Sequence, residues 1–172
     1  MYSISDNSWT TLPSAPGLPR GGTCFTAVNN VLLRFGGFSG EELGGNIDIF
    51  NPFSNIWTTR PFTRGPGNRS VAIFLPHPLY PDTHAVLLFG EKSPSNDGHN
   101  AAGQFWNDIW TYDYGNDLWE KATVENSHLL LQDGFGWTAG AVDLSQKTNQ
   151  LIVWGGLNQY NDRISTSWIV RF

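Results

Sequence analysis

Glu91, Asp97 and His99 fall within nine residues, in the polar stretch that separates the apolar runs ending at Leu88 and starting at Phe105. Two carboxylates and an imidazole this close in sequence can form a metal or substrate site. The same groups also have a plainer use. A carboxylate at Glu91 can accept backbone N–H groups from the loop that follows and hold it in shape. His99, between Gly98 and Asn100, can cap that loop without touching a metal. A second pair of chemically able residues is Arg20 and Arg69, each just ahead of a strand-like run. Their plainer use is to bond backbone carbonyls between neighbouring sheets.

The elements that must position these groups are short. Nineteen Gly and ten Pro punctuate 172 residues, which leaves no room for long helices. A chain of this length fits one domain and buries roughly 70% of its unfolded surface. Aromatic residues make up 14% of it, with eight Trp. The net charge of −5 argues against nucleic acid and anionic membranes as partners, since both select basic patches. Cys24 is the single cysteine, so no intrachain disulfide forms. The opening MYSISDNSW has neither the basic start nor the apolar core of a signal peptide. No apolar run approaches the ~20 residues of a membrane span, and the expected compartment is the cytosol.

Three pieces of the chain share one grammar. PRGGTCFTAV, NVLLRFGGFSG and NIDIFNPFSNIWTT form the first. NRSVAIFL, HAVLLFGEKSP and NDIWTYDYGNDLWEKA form the second. FGWTAGAV, NQLIVWGGLNQ and STSWIVRF form the third. Each begins with a strand rich in small residues, and its second strand ends in an aromatic and Gly. A third strand follows, and in the first two pieces a Trp-bearing fourth (Trp57, Trp119). Gly36-Gly37 and Gly155-Gly156 allow sharp backbone turns where neighbours crowd, and Glu91 stands where those pieces have the second Gly. A repeat of roughly 50 residues with four short strands predicts an all-β, kelch-type β-propeller. Residues 1–18 would supply the fourth strand of a preceding or closing blade, because SDNSWTTLP matches SNIWTT. Residues 19–62 and 63–124 would form two blades, and residues 134–172 an incomplete third. Closed propellers need about four to eight blades. The chain is therefore expected to be either a segment of a longer propeller, the favoured reading, or half of a six-bladed ring. In that homodimer each N-terminal strand would pair with the other chain's last blade and hide both sheet edges.

The run FGEKSPSNDGHNAAGQFWNDIW resembles the kelch family of plant nitrile-specifier, epithiospecifier and thiocyanate-forming proteins, and uncharacterised fungal and plant relatives of it. The residues that carry the likeness are Gly90-Glu91, Pro94-Ser95, Gly98-His99, Ala102-Gly103 and Asn107-Asp108. GPGNRSVAIF and PRGGTCFTAV resemble that family's strand openings. The resemblance implies an Fe(II) site of Glu, Asp and His at four-residue steps, used to steer the breakdown of glucosinolate aglycones. Here Glu91 and His99 keep the ends of that set, the middle position is Ser95, and Asp97 stands two residues on as a substitute ligand. One His and two carboxylates suit Fe(II) and leave open positions for a substrate. The resemblance also implies that Arg20 and Arg69 face a central channel and contact a sulfate, which a guanidinium can grip bidentately. The third piece has Phe135 at that place.

Two functions follow as expectations. The first is a binding module that uses blade loops and the channel mouth to take a protein or small ligand. The alternative is an iron-dependent specifier-type enzyme. Copper-radical chemistry is not expected, because Cys24 lies in a predicted strand without the Tyr and His partners that chemistry needs. His77 and His84, in the Pro-rich PHPLYPDTH, are expected to face solvent. The HLLLQD run from His128 to Asp133 is expected to pack over a sheet edge.

Overall fold

In the computed structural model, residues 1–98, 100–123, 134–143, 145 and 149–172 are described. All regular structure among them is β. None of them belongs to a helix long and apolar enough to cross a membrane. The HLLLQD run lies outside the described residues.

The chain opens on a small hairpin of β1 (Tyr2–Ser3) and β2 (Ser8–Trp9). A first four-stranded sheet follows, built from β3 (Cys24–Val28), β4 (Val31–Phe35), β5 (Asn46–Asn51) and β6 (Ile56–Pro61). The second contains β7 (Ile73–Pro76) and β8 (His84–Leu88). Before its third strand the chain makes an excursion, a two-stranded ladder of β9 (Glu91–Ser93) and β10 (Gln104–Phe105). β11 (Ile109–Asp113) and β12 (Leu118–Lys121) then complete the second sheet. The third sheet comprises β13 (Ala139–Val142), β14 (Gln150–Trp154) and β15 (Ser167–Arg171). All three are antiparallel meanders in which sequence neighbours pair, apart from the excursion.

The registers repeat as well as the order. Cys24 lies opposite Phe35, Ile73 opposite Leu88 and Ala139 opposite Trp154. In the last hairpin of each four-stranded sheet an aromatic faces a Trp: Phe50 opposite Trp57, and Tyr112 opposite Trp119. The N-terminal hairpin makes the same pair with Tyr2 and Trp9. The ring centroids are 5.0, 4.9 and 5.1 Å apart in the three pairs. Each loop closes through a residue two before the Trp in the left-handed region: Asn55 at φ 59°, Asp117 at 55° and Asn7 at 47°. Asn and Asp tolerate that conformation better than other side chains. The Asn51 and Asp113 carboxamide and carboxylate oxygens accept the N–H groups of Phe53 and Ser54, and of Gly115 and Asn116. These Asx turns are local and explain why the hairpins are legible in sequence.

Side chains alternate across the strands, as in β3, where Cys24, Thr26 and Val28 are buried and Phe25 and Ala27 are exposed. The first two sheets share a core of Leu33, Phe35, Ile47, Ile49, Phe74 and Leu87 around Trp119. Phe35, Phe62, Phe74 and Tyr112 all lie 4.9 to 6.1 Å from the Trp119 ring. A second core joins the second and third sheets through Ile73, Val86, Leu88, Ile109, Leu151, Val153 and Val170. Trp57 differs from Trp119. It is half-buried, and its Nε1–H donates to the Pro13 carbonyl at 3.1 Å.

The Pro-rich loop corrects one expectation. His77 is buried, not solvent-facing: its ring packs 4.7 Å from Phe172 and 5.3 Å from Tyr80. Its Nδ1 accepts the Leu79 N–H at 3.1 Å, so the imidazole holds the loop together. His84 is partly exposed, with Nε2 3.5 Å from the Asp113 carboxylate.

Candidate functional site

The site is built around a backbone turn repeated at the end of the second strand of each sheet. Gly36-Gly37 has φ of 64° and 111°, and Gly155-Gly156 has the same two values. In the second sheet the corresponding pair is Phe89-Gly90, at 59° and 99°. Hydrogen bonds confirm the equivalence. Gly37 N–H donates to the Arg69 carbonyl at 2.9 Å, as Gly90 N–H does to that of Phe135 at 2.8 Å. Glu91 is thus one residue past the position of the second Gly, and its counterparts are Phe38 and Leu157. Each of these three forms an isolated bridge with the segment leading into a first strand: Gly21 with Phe38, Ser70 with Glu91, and Gly136 with Leu157. Glu91 does not stand at the second Gly, as the sequence suggests, because Phe89 adopts a conformation that normally calls for Gly.

Glu91 is fully buried. Its backbone exchanges hydrogen bonds with Ser70, and its Oε1 accepts the Gly103 N–H at 2.9 Å. The carboxylate therefore reaches across the excursion and ties the far end of the loop. Gly103 is required there, because a Cβ would run into the Ser93 carbonyl and the Glu91 carboxylate itself. The Glu42 carboxyl, which arrives from the first sheet, lies beside the Glu91 and Ser70 side chains. Two carboxyl groups can bond each other only if one carries a proton. Burial raises the Glu42 carboxyl pKa, with the Ser70 and Glu91 side chains pulling it down.

Asp97 is elsewhere in character. It is exposed on a tight turn in which the Ser95 hydroxyl donates to the Gly98 carbonyl at 2.8 Å and accepts the Asp97 N–H at 3.1 Å. His99 lies outside the described residues. Among the described residues no three His, Cys, Asp or Glu side chains are gathered as a metal needs. Of the two described members of the expected ligand set, Glu91 gives one carboxylate oxygen to the Gly103 N–H and Asp97 lies on a solvent-facing turn.

Among the described residues Arg69 is the largest fully buried side chain. Its Nη1–H donates to the Phe89 carbonyl at 2.8 Å and to Asp108 Oδ1 at 2.7 Å; its Nε–H donates to the Gly67 carbonyl at 3.1 Å. Nη2 completes the grip on Asp108 Oδ2 at 3.3 Å, and the guanidinium sits 5.1 Å over the Trp106 ring. Arg20 repeats the pattern more openly. Its Nε–H donates to the Leu18 carbonyl at 3.1 Å and its Nη1–H to that of Gly36 at 3.3 Å. Burial, then the neighbouring Arg34 charge, lowers its pKa, and Asp48 partly offsets both. Both arginines thus clamp the left-handed turn of their own sheet. Arg69 directs four of its five N–H donors into the protein and is fully shielded from solvent, so a channel-facing role does not suit it. Phe135 takes the place in the third sheet, stacked 4.9 Å from Trp168.

Asp108, Glu42, Ser70 and Trp106 complete this network and were not predicted. An acidic residue that could balance a buried Arg was the available signal, but Asp108 is 39 residues from Arg69.

The three loops between second and third strands meet. Ala102 N–H donates to Asn161 Oδ1 at 3.1 Å, linking the second loop to the third. A Cβ on Gly98 would lie 3.9 Å from the Phe38 ring, which brings the first loop to the second. The shared rim carries exposed Lys92, Asp97, Gln104, Tyr160 and Arg163.

No family model matches the chain. Over 136 residues it is 22% identical to the Caenorhabditis elegans protein tag-53. That alignment covers 74% of this chain and 10% of the worm protein, so the chain spans about a tenth of the relative's length.

Proposed function

We propose that the chain is an arc of three kelch-type blades of a β-propeller and serves as a binding module. The observation that carries this reading is the threefold recurrence of strand order, register, left-handed turn and the bridge that follows the turn. A repeat of that kind places equivalent loops at the same end of every blade. The loops at 36–45, 89–108 and 155–166 then form one surface, supported beneath by Arg20, Arg69 and Glu91. Its mix of Lys92, Asp97, Gln104, Tyr160 and Arg163 suits hydrogen bonding to a polypeptide or a polar small ligand. Arg20, Arg69 and Glu91 hold the loops and contact no ligand themselves. The specifier-type alternative is the weaker reading, because Glu91 ties the Gly103 N–H and Asp97 lies on an exposed turn.

Backbone amide chemical-shift mapping against a panel of peptides and polar small molecules tests the proposal. Binders should shift residues of the three loops together. Shifts confined to the sheet faces, or none across a broad panel, would count against a loop-borne site.

A further inference from the structure

The two contacts between neighbouring sheets use the same positions. Leu33, Phe35 and Ile49 of the first sheet are buried against the second. Their counterparts by register, Val86 and Leu88 of the second sheet, are buried against the third. In the third sheet the same positions are Ile152, Trp154 and Ile169, which are 51%, 57% and 50% exposed. The opposite faces show the converse. Phe74 and Ala85 of the second sheet meet the first, and Leu151 of the third meets the second. In the first sheet those positions are Phe25 and Leu32, 49% and 38% exposed. The two open apolar faces are therefore opposite halves of one interface that the molecule already makes twice.

We infer that a second copy of this chain docks the Phe25 and Leu32 face of its first sheet onto Ile152, Trp154 and Ile169, reciprocally, so that two arcs close into a ring. The occupant follows from continuity with the established contacts. Each copy carries both halves, and two reciprocal head-to-tail contacts close where a single one would leave open faces. Six sheets fall within the range of closed propellers, and to that extent the inference rests on the blade reading above. The polar pair on the docking face is already satisfied: Arg34 and Asp48, at the positions of Leu87 and Trp110, bond each other at 2.6 Å.

The N-terminal hairpin completes the contact. Val170 stands where Phe50 and Tyr112 stand in the other sheets, each opposite a Trp of a fourth strand, and β15 has no fourth strand among the described residues. Trp9, 81% exposed, occupies the matching place on β2. The segment that follows β2 lies along the first sheet, where the Pro16 carbonyl accepts from Arg34 and that of Pro13 from Trp57. In the ring, β15 of the second copy takes the place of β1 beside β2, with Val170 opposite Trp9.

Light scattering after size exclusion should give a discrete species of twice 19.1 kDa. Trp154→Asp should weaken the dimer on the order of a hundredfold while leaving the far-ultraviolet circular dichroism unchanged, since the ring is on the surface. With Cys24→Ser as background, mixing a Trp9→Cys chain with a Val170→Cys chain should give a covalent heterodimer under a short thiol crosslinker. A wild-type monomer at every soluble concentration overturns the inference, as do open-ended oligomers or a dimer insensitive to Trp154→Asp. A folded monomer whose three loops still bind ligand would leave the binding-module reading standing and remove only the ring.

Discussion

Arg69 Nη1 lies 2.7 Å from Asp108 Oδ1 in an ion pair whose arginine is fully shielded from solvent. The same guanidinium bonds the Phe89 carbonyl, while the Arg69 backbone carbonyl accepts from Gly37 of the first sheet. One residue thus connects two sheets at the point where the left-handed turn of each is made. Removing either partner strands a buried charge, which costs about 3–5 kcal/mol. Arg69→Met and Asp108→Asn should each lower stability by that order in urea unfolding. Arg69→Lys should recover little, because one ammonium cannot reach the Gly67 and Phe89 carbonyls and both carboxylate oxygens at once.

Two buried titratable groups should shape stability against pH from opposite sides. Burial raises the Glu42 pKa, so the folded chain holds that proton to higher pH than the unfolded chain. Stability is therefore present in acid and falls as pH rises through the folded value. His77 is lowered from 6.5 to about 4, by burial and then by the charge on His84. The folded chain resists that proton, so stability present at neutral pH is lost as pH falls from 6.5 toward 4. The two windows overlap above pH 4.5 and below pH 6.5, where the slopes oppose each other. Glu42→Gln should therefore make the urea midpoint rise more steeply with pH there, and His77→Gln should make it fall; a variant that leaves the slope unchanged would assign that contribution to another group.

The fold was legible where its causes are local. The Asx turns, the aromatic opposite each Trp and the Gly-Gly pairs are all set within eight or so residues, and each appears in the sequence as a repeated word. The site was less legible because its partners are distant. Glu91 stood out as a lone acid after a Gly, but Glu42 and Ser70 reach it from other segments. Phe89 hid the turn of the second sheet, since an aromatic at φ 59° has no signature in sequence. His77 read as exposed because the surrounding prolines suggest a surface loop, while the cover comes from Phe172 at the other end of the chain.

The left-handed turn offers a controlled comparison. Gly36 and Gly155 share φ of 64°, so alanine meets the same backbone penalty at both, about 1–2 kcal/mol. Their surroundings differ. A Cβ at Gly36 would collide with the Arg69 carbonyl oxygen, whereas at Gly155 the nearest atom would be the Ile164 oxygen at 3.1 Å. Gly36→Ala should be the more destabilising by at least about 1 kcal/mol, and thermal melts of the two variants measure the difference. Equal losses would mean that the seam yields freely at Arg69.

Substitution at Glu91 separates a loop tie from a metal ligand. As a tie, the side chain needs an oxygen for the Gly103 N–H and a polar group beside Glu42. Gln supplies both, through its carbonyl and its NH2. Glu91→Gln should therefore keep the loop as slow in amide hydrogen exchange as the wild type, whereas Glu91→Ala should release Gly103 and speed exchange across residues 94–104. A metal ligand would behave differently, because a neutral amide is a far weaker donor to a divalent ion than a carboxylate. An anaerobic Fe(II) titration of the wild type is expected to show no saturable binding. Saturable binding lost in both Glu91→Gln and His99→Ala would restore the iron site and make loop-tying secondary.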